Sequence, residues 1–281
     1  MRRGIAVVSE RPSQRAFFVF VGLLFAASGA ATIIGCASMS AMREMPMPGG
    51  WTMSMTWMRM PEQSWLGAAV SFLCMWIAMM VAMMLPSLTP VLLRHRQDLA
   101  STGETRLGRL NALVGLGYFF VWFVLGMAAF PLGVALAAMQ MQLPALARAV
   151  PIAVGVVVLI AGALQFTAWK THQLACCRAS WHSCRAARHR HRWPVDAGWS
   201  AHAGEAWRSG VRLGLRCCYC CAGPTAILFA SGVMNLRAMA LVTAVITMER
   251  LAPAGERVAR ATGAIIIGVG LFLVVRAAAL G

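Results

Sequence analysis

The sequence is short of acid. Nine Asp and Glu stand against 25 Lys and Arg in 281 residues, and all charged side chains together make up 12%. A soluble domain carries about 25%, so a water-soluble globule built around one core is excluded. Catalysis by paired carboxylates has almost no material, because only Glu249 lies near the end of an apolar run. A phosphate-cradling loop of the form GxxxxGK[ST] is missing, which excludes a self-sufficient nucleotide-driven pump. The cysteines and histidines follow no zinc-finger spacing, so no tetrahedral site can be read from them.

What is abundant is apolar sequence. Hydrophobic residues make up 59% and the mean hydropathy is +0.69, values of an integral membrane protein. Runs able to form helical spans cover Phe17–Ile34, Trp65–Leu85, Leu110–Ala138, Pro151–Trp169, Ala222–Met234, Leu236–Met248 and Thr262–Leu280. The expected fold is an all-α polytopic helical membrane protein with about seven transmembrane helices, six being the alternative, and a cytoplasmic N-terminus. Residues 1–15 form a basic cytoplasmic tail and 16–261 the polytopic domain, with a Met-rich outer loop at 36–64 and a Cys/His/Arg-rich cytoplasmic loop at 170–216. Residues 262–281 form the last transmembrane helix. Pro86 and Pro90 are expected to end or kink the second span. Asn235 reads as a turn residue or N-cap, and Gln165 is an amide that needs a partner inside the membrane. Ile33-Ile34-Gly35-Cys36 has the form of a lipoprotein cleavage box, but the apolar run before it is long for a signal peptide.

The net charge of +16 follows from topology. With seven spans, 20 of the 25 basic residues fall on the cytoplasmic side and five outside, as the positive-inside rule requires. Joining 217–248 into one span would put Arg250, Arg257 and Arg260 outside. The basic residues therefore call for anionic lipid, or a protein partner at the cytoplasmic loop, and for no nucleic acid.

Sulfur is the second abundance. Cys217, Cys218, Cys220 and Cys221 fall within one arc of about 160° on a helix, so they can converge on one ion. Placed at the head of the run from Ala222, they are expected at a helix N-terminus, which favours thiolates and soft metals. In the second span Met75, Met79 and Met83 repeat every four residues, with Met80 and Met84 in the adjacent row, so five thioethers line one broad face. A methionine face is also an ordinary helix-packing seam. Eight more methionines, from Met39 to Met60, lie in the first outer loop, where thioethers gain no membrane core and prefer Cu(I). The 170–216 segment holds Cys176, Cys177, Cys184 and His172, thiols and an imidazole free to coordinate metal in a reducing cytosol. Arg188 to Arg192 in the same segment reads Arg-His-Arg-His-Arg, which suits anionic headgroups.

These residues carry a resemblance. Met75-Trp76 with Met79 to Ser87, Gln165 followed by Lys170 and Cys177-Arg178, Gly214 with Cys217, Cys220 and Cys221, and Met234-Asn235-Leu236 before Glu249 resemble a bacterial family of predicted metal-binding integral membrane proteins. That family is a domain of unknown function sometimes labelled copper chaperone, and the likeness runs from about Cys74 to Gly255. The chain departs from it at Gln173, where the family tends to have a cysteine, and at Ala222, where it usually has Trp. The resemblance implies metal binding and leaves the activity open.

Thioethers outside, a Met-lined helix and thiolates inside describe rising affinity for Cu(I), with another soft metal as the alternative ion. The expectation is a multi-pass protein of the bacterial inner membrane that passes Cu(I) between outer methionines and cytoplasmic cysteines, and is not an enzyme. The competing expectation is a non-transporting assembly or scaffold protein, with a structural metal and a basic loop that docks a partner or lipid.

Overall fold

The computed structural model describes residues 3–40, 45–48, 51–59, 63–101, 106–178, 199–233 and 235–280. Eight helices run through them: α1 Arg3–Ser40, α2 Trp65–Ser101, α3 Leu107–Gln142, α4 Pro144–Leu164, α5 Ala168–Arg178, α6 Trp199–Ser231, α7 Leu236–Leu251 and α8 Gly255–Leu280. Six of them are long and apolar enough to cross a membrane, over Gln14–Met39, Trp65–Gln97, Leu107–Gln142, Pro144–Leu164, His202–Ser231 and Gly255–Ala279. The expected short span after Asn235 is α7, a helix of 16 residues. At 1.5 Å per residue it rises about 24 Å, less than a hydrocarbon core of about 30 Å.

Apolar side chains face outward along most helices. Phe20, Leu66, Leu241 and Val275 are all exposed, the pattern of helices surrounded by lipid. The buried core gathers instead between α2, α3, α6 and α7, and includes Trp76, Met80, Met84, Tyr118, Trp122, Cys217 and Ile246.

Several boundaries differ from the sequence reading. Helix α2 continues through Pro86 and Pro90 to Ser101. Nearby hydroxyls bond carbonyls of the same stretch, Ser87 Oγ to Met84 O at 3.0 Å and Thr89 Oγ1 to Leu85 O at 2.7 Å. Hydroxyls of this kind are how membrane helices accommodate proline. His95, beyond the expected end of the second span at Leu85, is buried on α2, with Nδ1 3.3 Å from Asn111 Oδ1. The C-terminal end of α3 runs to Gln142 and leaves only Leu143 before Pro144 opens α4, so Met139 and Met141 are helical. Much of the expected 170–216 loop is helix, since α5 extends to Arg178 and α6 begins at Trp199 and carries His202, Arg208, Arg212 and Arg216. Cys184 and the Arg188–Arg192 run lie outside the described residues.

The loop between α1 and α2, expected on the outer side, holds a small hairpin, β1 Met45–Met47 paired antiparallel with β2 Trp51–Met53, followed by a 3-10 turn Met55–Trp57. It docks on the bundle: Trp51 Nε1 donates to Ala147 O at 2.9 Å, and Trp57 lies against Phe72 with ring centroids 5.4 Å apart. Met53, the last residue of β2, is buried.

Two close helix contacts set the frame. On α6, Gly210 and Gly214 form a GxxxG pair that lets α3 approach backbone to backbone: a Cβ at Gly214 would lie 2.8 Å from Tyr118 O. Gly155 and Gly162 do the same for α4 against α8. Between α6 and α7 the chain turns at Gly232, the residue with positive φ (96°). Asn235 caps α7 as expected, its Oδ1 accepting from Arg237 N at 3.1 Å and Ala238 N at 3.2 Å.

Candidate metal centre

The Cys217–Cys221 cluster is in the middle of α6, 18 residues after its start, and not at a helix N-terminus. The apolar run from Ala222 is the second half of a helix begun at Trp199, because Gly210 and Gly214 let the preceding turns bury against α3. Backbone N–H groups at Cys217 are already bonded within the helix, so no terminal dipole favours thiolates there. Other groups supply the polarity.

Cys217, Cys220 and Cys221 are buried, while Cys218 is half-buried at the edge. The i, i+4 pair comes together, with Cys217 Sγ 3.9 Å from Cys221 Sγ. A third sulfur meets Cys217 from α2, where Met84 Sδ lies 3.8 Å from Cys217 Sγ. Among the described residues no three of His, Cys, Asp and Glu come together as a metal-binding group, and the third sulfur beside Cys217 is that of a methionine. Bonds of about 2.3 Å from one metal to two sulfurs, opening at tetrahedral to trigonal angles, put the sulfurs about 3.8–4.0 Å apart. The separations here fall in that range. Two thiols and a thioether are a donor set for soft ions, Cu(I) first among biological metals.

Polar side chains surround the sulfurs. Tyr118 of α3 donates its hydroxyl to Cys217 Sγ at 2.8 Å. Arg250, at the end of α7, donates from Nη2 to Cys221 Sγ at 3.6 Å and from Nη1 to Ser87 Oγ at 3.2 Å. One turn deeper in the packing, Lys170 Nζ pairs with Glu249 Oε2 at 2.8 Å and donates to the Cys220 carbonyl at 2.6 Å. Gln165 Nε2 donates to Glu249 Oε1 at 3.0 Å, which gives the nitrogen end of its amide a partner. Lys170 and Glu249 are almost wholly buried, and a buried pair of this kind is kept only when each charge is matched.

Of the other residues singled out from the sequence, Met79, Met80 and Met83 are buried with Met84 in the core. Met75 turns toward α1, where a Cβ at Gly35 would meet its Sδ at 2.8 Å, so the five methionines do not form one lining. His172 is exposed on α5. Cys176 and Cys177 lie on the last turn of the same helix, and the placement of their side chains lies outside the described residues. Arg250, Ser87 and Tyr118 were not singled out as site residues. The signal that points to Arg250 is a cation directly after Glu249 at the end of an apolar run, which the charge count assigned to topology alone.

On the hairpin side of the bundle, a cavity of about 1430 Å³ is lined by Trp51, Met53, Trp57, Gln140, Arg148 and Phe229 among others. Phe229 of this lining belongs to a stack of rings that continues toward α2. Trp76 lies 5.9 Å from Phe72 and 5.4 Å from Phe229, centroid to centroid, and its Nε1 donates to Trp122 O at 2.8 Å.

Residues 73–273 match a family model, PpoB2, described as a copper chaperone. The chain belongs to that family. Membership in this copper chaperone family gives it a copper-related role, and the match includes Met84, Tyr118, Lys170, the cysteine cluster and Arg250. No match was found among curated proteins or solved structures.

Proposed function

We propose that this chain is a Cu(I) carrier of the bacterial inner membrane, holding the ion between Met84, Cys217 and Cys221 and exchanging it with the outer methionines. The observation that carries the reading is the convergence of three sulfurs from two helices in a buried position, at separations suited to one ion. Transport or delivery is favoured over catalysis because Glu249, the acid nearest the sulfurs, is committed to Lys170 and Gln165.

The height of the site supports a transfer across an apolar layer. Trp51 ties the hairpin to Ala147, and the sulfurs lie level with the other end of α4, where Gln165 reaches Glu249 beside Cys220 and Arg250. From Ala147 to Gln165 the helix rises about 27 Å, close to the about 30 Å of a hydrocarbon core. The hairpin methionines then stand at the outer face and the thiols at the inner face. The outer cavity is the place where copper would arrive, and Met79, Met80 and Met83 lie along α2 between the ring stack and Met84.

A second reading, a scaffold whose metal is structural, is favoured by the burial of the sulfurs within the main core. One experiment distinguishes the two. Purified full-length protein is loaded with Cu(I) under anaerobic, reducing conditions, and its metal content and thermal stability are measured for the native chain and for Cys217→Ser/Cys221→Ser. A carrier loses bound copper and keeps the stability of the metal-free native protein. A structural site loses stability with the metal. Full copper content in the folded double variant would reject both.

A further inference from the structure

We infer that the sulfur site is charge-matched to a monovalent soft cation, and that Arg250 is the residue that sets this preference over divalent ions. The inference rests on the carrier reading above and names the class of ion that the site accepts.

The charged groups that face the sulfurs from each packed element are few. From α7 come Arg250, touching Cys221, and Glu249; from α5 comes Lys170, which joins Glu249 to the Cys220 carbonyl. Helices α2 and α3 contribute neutral groups, Met84, Ser87 and Tyr118. On α6 the neighbouring Arg216 is half-buried, and its side chain leaves the helix about 100° around from Cys217. Lys170 and Glu249 cancel. Metal binding requires Cys217 and Cys221 as thiolates, and Arg250 offsets one of their two negative charges. What remains is one negative charge, which a monovalent ion neutralises. A divalent ion would leave a net positive charge among buried side chains, and such charge is costly to leave unmatched.

Position explains how Arg250 can do this without displacing a ligand. Nη1 is held by Ser87, whose own hydroxyl is anchored on Met84 O. The guanidinium is thereby fixed beside Cys221 Sγ at 3.6 Å, as a donor to a sulfur and never to the metal. Arginine stays protonated at any pH of interest, so the offset is permanent. Softness alone makes a different prediction. A soft divalent ion such as Cd(II) would then be accepted as readily with Arg250 as without it.

The test uses the full chain in detergent, with Ag(I) as the monovalent soft probe and Cd(II) as the divalent soft probe. Competition titrations give the ratio of their dissociation constants. Arg250→Gln is expected to move this ratio toward Cd(II) by about 10- to 100-fold, the usual weight of a residue that touches a ligand rather than the metal. Arg250→Lys, which restores the charge, is expected to recover most of the native ratio. If Arg250→Gln does not accumulate, Ser87→Ala loosens the guanidinium while sparing all three sulfurs, and a shift in the same direction is expected from it. A ratio unaltered in the folded Arg250 or Ser87 variant, with native binding still dependent on Cys217 and Cys221, overturns the inference and leaves the carrier reading standing. Loss of Ag(I) binding in Cys220→Ser would add a third thiolate and overturn the charge count. Native protein that binds neither probe at these cysteines overturns the carrier reading itself.

Discussion

Tyr118 donates its hydroxyl to Cys217 at 2.8 Å, joining the first half of α3 to the middle of α6 inside the core. The bond orients the thiol toward Met84 and Cys221 and gives a metal-bound sulfur a fixed donor beside it. Tyr118→Phe keeps the ring and its packing against Phe119 and removes only this bond. Cu(I) affinity, read by competition with a chromogenic chelator, is expected to fall about tenfold with little change in thermal stability. Unchanged affinity would mean that the hydroxyl only packs.

The same helix pair offers a steric test. A Cβ at Gly214 would approach the Tyr118 carbonyl to 2.8 Å, and backbone cannot yield as a side-chain tip can. Gly214→Ala should therefore destabilise the protein by about 1–3 kcal/mol, the range for overpacking, and weaken copper binding by parting Tyr118 from Cys217. Gly22, whose Cβ would meet nothing within 4 Å, is the control. Equal thermal midpoints for the two alanine variants would contradict close α3–α6 contact.

Lys170 and Glu249 form the buried ion pair beneath the cysteines. Lys170→Met strands a carboxylate among apolar side chains and is expected to cost about 3–5 kcal/mol. Adding Glu249→Gln should recover a large part of that loss, because the stranded charge goes with it. The check is a double-mutant cycle on thermal unfolding in detergent. Additive losses would mean that the two side chains do not depend on each other.

Much of this arrangement was legible in the sequence, for identifiable reasons. Apolar runs about 20 residues long have few folds open to them, so the all-α polytopic class followed from composition. Asn235 declared a cap, and Gln165 a missing partner, because each is a polar group in apolar surroundings. The middle of α2 was harder to read: proline signals a break from sequence alone, and the hydroxyls of Ser87 and Thr89 make their bonds only once the helix exists. The sulfurs were visible as candidates but not as a set. Convergence of Met84 with Cys217 depends on how α2 packs against α6, a relation between residues 133 apart that no local periodicity carries. Met75 shares the spacing of Met79 and Met83 and still faces α1.

Topology gives a prediction independent of metal. With the basic residues inside, reporter fusions at Gly50, Gln142 and Gly281 should report the periplasm, and fusions at Gly103, Asp196 and Gly255 the cytoplasm. The hairpin and the outer cavity would then face the periplasm. A cytoplasmic Gly281 would mean that α7 does not complete a crossing, and would reverse the side assigned to one end of the bundle.

The most direct test of the sulfur site is copper K-edge X-ray absorption on the Cu(I)-loaded full chain. The account predicts directly bound sulfur alone, at about 2.3 Å, with one sulfur fewer in Met84→Leu and no discrete site in Cys217→Ser/Cys221→Ser. Nitrogen or oxygen bound directly to copper, or a spectrum unchanged by Met84→Leu, would contradict it.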